Sequence, residues 1–399
     1  MSLRLAMLVH HYFPRDVRVR REARALAAAG HQVSVLCLRR PGEPAEEHWR
    51  GIRILRQPVG RHRGRGLAVY LAEYAAMTGL AAARLARLLL RERFDVIHVH
   101  APPDFLLAAA LPALLRGARL VLDVHDLSPE LYGQRFGGRG GALAAEALEA
   151  VERAACGRAE RVITVTEAFA ERLRRRGVAA EKLEVLRNGP DEEIFVPPAA
   201  RPQRPAGALR LIHHGTLVQR YGVDVLLEAL ARLAPELDEL RLDVFGEGDR
   251  EPALRARAAR PDLAGRVYFH GDVLQDELVG ALAAADVCVV PNRADPFTDL
   301  LLPTKLLEGL RMGCACVASD TSVVRASLPD DALLRVPPGD AAALAAALRE
   351  LALDPAARRR LAAAGQRAAE RFSWRREKQK LLALYAGLGG RAPGPAAAG

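Results

Sequence analysis

The chain has 399 residues, a formal net charge of +10, half its residues apolar and 5% aromatic. It is long enough for two or three domains, of which two are expected, and its basic stretches lack the interleaved aromatics that stack bases, so a nucleic-acid partner is not expected. The charge is uneven: residues 1–190 carry 31 Lys+Arg against 20 Asp+Glu, and the rest carry 27 against 28. A basic first half suits phosphate-bearing acceptors or an anionic membrane surface, and a solubilising arginine surface is the alternative.

In chain order, short β-rich apolar runs alternate with longer helical patterns. LRLAMLVHHYF is too short and too soon polar for a signal peptide, and reads as a buried first strand. The strands HQVSVLCL, IRILRQ, DVIHVH, RLVLDVH and RVITVT follow, with helices at Val19–Ala29, Leu67–Leu90, Phe105–Leu115 and Gly141–Cys156. The apolar stretch 66–90 contains Glu73, Arg84 and Arg87 and so fails as a membrane span, although Arg61, His62, Arg63 and Arg65 lead into it as a basic amphipathic segment would. This pattern predicts a parallel doubly wound sheet over residues 1–190. Residues 191–207, proline-rich, read as a linker. A second series over 208–372 has strands LRLIHHG, LRLDVFG, VYFHG, VCVVP, CACVAS and LLRVP, with helices from Val223, Pro252, Gln275, Thr304, Asp340 and Pro355. Residues 373–388 form a last helix, and 389–399 read as a disordered tail. The fold class is therefore α/β, with two Rossmann-like domains expected to face across a cleft. The five cysteines are odd in number, lack CxxC spacing and mostly fall in apolar runs, as in a reducing compartment; a cytoplasmic protein is expected.

In open parallel sheets ligands bind beyond the carboxyl ends of the strands, so the second-series exits are the candidate site. The first leads into Gly215, Thr216 and Arg220, where a guanidinium can meet a diphosphate. The second leads into Gly246, Glu247 and Gly248. A dinucleotide fingerprint would need glycine at Glu251, which excludes a nicotinamide site. The third leads into His270 and Gly271, a cradle for a base or ribose. The fourth leads through Leu302, Pro303 and Thr304 to Lys305 and Glu308, one turn apart near a helix N-terminus, where free amides and the dipole attract phosphate. Taken alone, Lys305 and Glu308 could equally be a surface ion pair; four consecutive exits with groups suited to one nucleotide diphosphate favour a donor site.

These pieces occur in the order RREARALAAAGHQVSVL, DVIHVHAPP, LDVHDLSPELY, VITVTEAF, EVLRNGPDEEIF, HHGTLVQRYGVDVLLEAL, PTKLLEGLRMGCACVASD and VPPGD followed by FSW, and with them the chain resembles a family 4 glycosyltransferase of the two-domain GT-B type over nearly its whole length. The resemblance implies transfer of a sugar from a nucleotide-diphosphate sugar to an acceptor hydroxyl, with retention and without a metal or other cofactor. The second domain would hold the donor and the first the acceptor, a glycan or lipid-linked glycan, with the last helix crossing back to the first domain. It implies that Glu308 accepts from the ribose hydroxyls, that Lys305 and Arg220 offset charge on the leaving diphosphate, and that His125 lies near the sugar. His98 and His100 carry no assigned chemistry. Three departures stand out. Leu300 occupies the place of a second glutamate, with Asp295 and Asp299 nearby; Thr216 and Tyr221 stand where cationic or glycine residues are usual; and FPRDVRVRRE replaces a glycine pair, placing Asp16, Arg18 and Arg20 on the acceptor side at the cleft mouth. Together they resemble a branch acting in cell-surface polysaccharide or glycolipid assembly, peripheral to the inner face of the cytoplasmic membrane. A nucleotide-sugar 2-epimerase and a non-catalytic nucleotide-sugar-binding relative are the alternatives.

Overall fold

The computed structural model describes residues 2–60, 67–133, 138–273 and 275–389. The chain divides into two compact units, one running to Arg187 and resumed from Glu377, the other Asn188–Arg376. The basic cluster Arg61, His62, Arg63 and Arg65 and the tail from residue 390 lie outside the described residues.

The first unit is built on an eight-stranded sheet. Its strands are β1 (Arg4–Tyr12), β2 (Gln32–Leu38), β3 (Glu46–Trp49), β4 (Ile52–Gln57), β5 (Val96–Ala101), β6 (Arg119–Val124), β7 (Arg161–Thr164) and β8 (Leu183–Val185), in the order β3-β4-β2-β1-β5-β6-β7-β8. Leu5, Met7, Leu8, Val35, Ile97, Val99 and Leu122 have no accessible surface, which is why the central strands read as unbroken apolar runs. The sheet is not wholly parallel as the pattern implied: β3 pairs antiparallel with β4 at the edge. The helix expected at Phe105–Leu115 is instead a 3₁₀ stretch, Asp104–Ala110, followed by one α-turn, Leu111–Leu114. Pro112 explains the break, because it has no N–H to continue an α ladder from the residues before it. The helix Trp374–Gly389 ends the described chain, and from Glu377 onward it belongs to this unit. Its Tyr385 is fully buried, and the phenol hydroxyl lies 2.9 Å from His98 Nδ1.

The second unit has six parallel strands, β9 (Ala208–His214), β10 (Glu239–Phe245), β11 (Val267–Gly271), β12 (Val287–Val290), β13 (Ala315–Ser319) and β14 (Leu334–Val336), ordered β11-β10-β9-β12-β13-β14. One face buries Leu209, Leu211, Leu242, Val244, Val287 and Val317 beneath helices Val223–Leu233 and Ala341–Leu353. Each such side chain contributes ~2 kcal/mol of apolar transfer. The strand order reverses at β9: the chain runs outward through β10 and β11, then returns to add β12 on the other side. A crevice opens at such a reversal, between the carboxyl ends of β9 and β12. Residues 191–207, read as a linker, are held to this unit. Arg201 donates to the carbonyls of Leu282, Ala285 and Met312, which close helices Gln275–Ala284 and Thr304–Arg311. Among the described residues, no helix is long and apolar enough to cross a membrane.

Candidate functional site

The exits of β9, β10 and β11 are laced by backbone bonds from Gly215 N to Phe245 O (2.9 Å) and from Gly246 N to Gly271 O (2.7 Å). The lacing requires glycine. Gly246 has φ +116°, and a Cβ there would sit 2.1 Å from Gly215 O. Gly215, at φ +118°, would place a Cβ 3.1 Å from Lys305 Nζ. The two exits and the lysine thus form one tightly packed floor.

Lys305 is 7% exposed, its Nζ has no hydrogen-bond partner among the described residues, and it lies 4.1 Å from the centroid of the Tyr221 ring. Burial pushes this ammonium down to about 8, against the pull of Cys288 and Glu308. Arg220 stands on the 3₁₀ turn Gln219–Tyr221, its guanidinium 5.1 Å from the Phe297 ring and its Nη1 buried without a hydrogen-bond partner. Glu308 lies one turn beyond Lys305, its Oε2 3.6 Å from Nδ1 of His214. His214 is buried at the end of β9 and was not singled out in the sequence, although the doubled histidine of LIHHG marked the place. Pro303 is the N-cap of the helix Thr304–Arg311, and Leu302 beside it is buried. Thr304, Thr216 and Glu247 are exposed. His270 bonds Asp243 at 2.8 Å and stacks on Phe245 with centroids 4.3 Å apart.

The first unit holds a separate buried polar network. Arg18, expected at the cleft mouth, is instead interior at 6% exposure. Its Nε and Nη2 pair with both oxygens of Asp123 at 2.8 and 2.9 Å, and Nε also lies 3.1 Å from Glu22. An uncompensated carboxylate in the sheet centre would be costly, and Arg18 is the cation that β6 demands. Burial alone would raise the Asp123 carboxyl, but Arg18, His125 and His100 together outweigh it and hold the group well below the usual range. His125 Nε2 lies 3.0 Å from Asp123 and 3.0 Å from His100 Nδ1, and Asp123 raises the imidazole against the opposing effect of burial. His98 and His100 are buried and stacked, with centroids 4.2 Å apart. Glu22, His98, His100 and Asp123 bring ligand atoms within 4.8 Å of one another. The Arg18 guanidinium already fills the cationic position of that cluster, so these groups fit an internal ion-pair network better than a metal centre. Asp16 caps the helix Val17–Ala28 by accepting from Val19 N at 3.0 Å, and Arg20 is half-buried with Nη1 turned to Pro14 O. Arg18 thus belongs to the interior rather than a mouth, and Asp16 starts the helix.

Residues 16–189 match the family model for a glycosyl transferase 4-like domain, and residues 208–354 that for glycosyl transferases group 1. The chain belongs to the group 1 glycosyltransferases. This transferase is similar to a glycogen synthase of Mycobacterium tuberculosis, 28% identical over 93% of the chain and 91% of the relative. Among solved structures it resembles sucrose-phosphate synthase from Thermosynechococcus elongatus, at TM-score 0.78 and 22% identity, covering 98% of this chain and all of that one. It also resembles Anabaena HepE in complex with UDP-glucose, at TM-score 0.69 and 17% identity, covering 97% of this chain and 100% of the other. The fold of the transferase is therefore GT-B, with two α/β units built on parallel strands.

In chemical terms the second unit of the transferase gathers two cations at the crevice where the strand order reverses, and Lys305 Nζ and Arg220 Nη1 are buried without a hydrogen-bond partner among the described residues. Buried polar groups in folded proteins are normally paired, so such a concentration of unsatisfied positive charge is complementary to an anion. Glu308, on the same helix face as Lys305, adds an acceptor suited to hydroxyls.

Proposed function

We propose that the transferase holds a nucleoside-diphosphate sugar in the second unit and passes its sugar, with retention and without a metal, to a hydroxyl of a glycan or lipid-linked glycan. The observation that carries the reading is a buried ammonium, Lys305, beside a half-buried guanidinium, Arg220, each with a buried nitrogen that has no hydrogen-bond partner among the described residues. Lys305 and Arg220 take the diphosphate, and Glu308 takes the ribose diol. As the sugar–phosphate bond breaks, negative charge collects on the diphosphate. Two cations already held in place, Lys305 in a buried floor and Arg220 at its edge, stabilise it without having to reorganise, which is where most of the rate acceleration resides. These two side chains supply the charge neutralisation that a divalent ion would otherwise provide, which is the ground for metal independence. The acceptor attacks from the face the diphosphate leaves, and the geometry supplies no reason to invoke a covalent sugar–enzyme intermediate. A role in cell-surface glycan assembly, on the cytoplasmic membrane, agrees with the surplus of positive charge in residues 1–190.

The test is a panel of UDP-, GDP- and ADP-sugars incubated with the full chain and simple glycoside acceptors, with and without EDTA. Product with the anomeric configuration of the donor, formed equally in EDTA, is expected. An inverted product, or activity restored only by added divalent ion, would refute retention or metal independence respectively. Conversion of a donor with no acceptor present would point to an epimerase instead.

A further inference from the structure

At the same strand reversal one side chain has both its polar ends unsatisfied. Asn292 follows β12, is 2% exposed, and neither its Oδ1 nor its Nδ2 has a hydrogen-bond partner among the described residues. A buried primary amide in that state lowers stability, so its presence calls for a partner that the chain itself does not supply. Contacts on both sides tie it to the site. Pro291 O lies so near Gly222 that a Cβ there would come within 1.9 Å, and Arg293 N donates to Arg220 O at 2.8 Å. Asn292 is therefore fixed against the turn that carries Arg220 and Tyr221, the ring of the latter lying on the Lys305 ammonium.

The chemistry of the amide indicates which part of the donor it meets. A diphosphate offers only acceptors and would use Nδ2 while leaving Oδ1 unpaired. Sugar hydroxyls donate and accept, so one hydroxyl or an adjacent pair satisfies both ends. The other candidates for a sugar contact have one carboxylate oxygen tied into the chain's own bonds or no polar atom at all. Asp295 Oδ1 accepts from Phe297 N and Thr298 N at 2.9 and 2.7 Å, Asp299 Oδ1 accepts from Ser322 N at 2.8 Å, and Leu300 has no polar side-chain atom. We propose that Asn292 binds a hydroxyl of the sugar being transferred and stands in for the carboxylate missing at Leu300. This rests on the donor-site reading above.

The experiment is calorimetric titration of the full chain with UDP, GDP and ADP, then with the glucose or mannose conjugate of whichever nucleotide binds, for the wild type, Asn292→Ala and Asn292→Ser. The alanine variant should bind the nucleotide sugar ~10- to 100-fold more weakly, bind the bare diphosphate within about twofold of wild type, and melt no lower than wild type in the absence of ligand. The serine variant, which keeps a group that donates and accepts, should lose less. Equal weakening of sugar conjugate and bare diphosphate would overturn the proposal in favour of a phosphate contact. A lowered melting temperature with unchanged affinities would overturn it in favour of a packing role. Should the alanine variant not fold, the serine variant decides by the same comparison. If no nucleoside diphosphate binds the wild type, the donor-site reading itself fails, and the Asn292 assignment with it.

Discussion

Replacing Lys305 with methionine should make the protein more stable and its donor site worse. The ammonium sits in the floor formed with Gly215 and Tyr221, and its burial shifts it from an ordinary 10.5 to about 8. At ~1.4 kcal/mol per tenfold, holding the charge in the folded state at neutral pH costs ~3 kcal/mol. Methionine keeps the stem packed and removes that cost. The sign follows from proton counting: between about pH 8 and 10.5 the unfolded lysine holds a proton that the folded one has released. Wild-type stability should therefore rise with pH across that window, and the variant should lack the rise. An anionic ligand reverses the balance by stabilising the charged form. Diphosphate binding at pH 8.5 should take up most of a proton, read as a dependence of the calorimetric heat on the buffer's ionisation enthalpy, and affinity should fall as pH rises further. Lys305→Met should abolish proton uptake and weaken binding by at least ~100-fold. The reasoning is refuted if the variant melts lower than wild type at pH 7, or if it binds the diphosphate with unchanged affinity and proton uptake.

Three other perturbations test separate parts of the structure. Glu308→Gln should abolish the discrimination between a ribonucleoside diphosphate and its 2′-deoxy analogue that the wild type shows by titration, a loss of ~10-fold in the ratio; equal discrimination in both proteins would remove Glu308 from the ribose. Gly246→Ala forces a Cβ to 2.1 Å from Gly215 O at φ +116°, so a loss of at least ~3 kcal/mol in urea unfolding is expected, and a near-neutral result would contradict the lacing of the exits. Glu22 is pushed up to about 7 by burial, with Asp123 adding to the shift and Arg18 opposing it. The folded carboxyl then retains a proton that the unfolded one sheds, and its contribution to stability declines as pH rises from about 4.5 to 7. Glu22→Gln should therefore raise the melting temperature relative to wild type at pH 8 and change it little at pH 4.5; the same difference at both would exclude the titration of Glu22 as the cause.

The sheets were legible because parallel strands buried on both faces spell continuous apolar runs, and every major strand of the second unit appears where such a run stands. The strands that escaped notice, Glu46–Trp49 and Leu183–Val185, are short, and neither contains a fully buried residue. No hydrophobic pattern can reveal a strand that has little to bury. The residues proposed to bind the donor drew notice by their position after strands, since Lys305 and Glu308 follow a proline at a helix start. Arg18 was misplaced because its partner, Asp123, is 105 residues away, and sequence pattern does not show which arginine of RDVRVRRE turns inward. Asn292 carried no signal at all. What distinguishes it is that neither end of its buried amide has a hydrogen-bond partner among the described residues, a property of the packed structure alone.

The grip of Arg201 on the carbonyls of Leu282, Ala285 and Met312 bears on how this protein can be cut. A fragment started at the first strand of the second unit, near residue 208, would discard that arginine and leave the ends of two helices uncapped, one of them the helix that carries Lys305. A fragment started at Asn188 keeps the cap. Boundaries chosen from the proline-rich look of residues 196–207 would thus weaken the element whose chemistry the fragment was made to study.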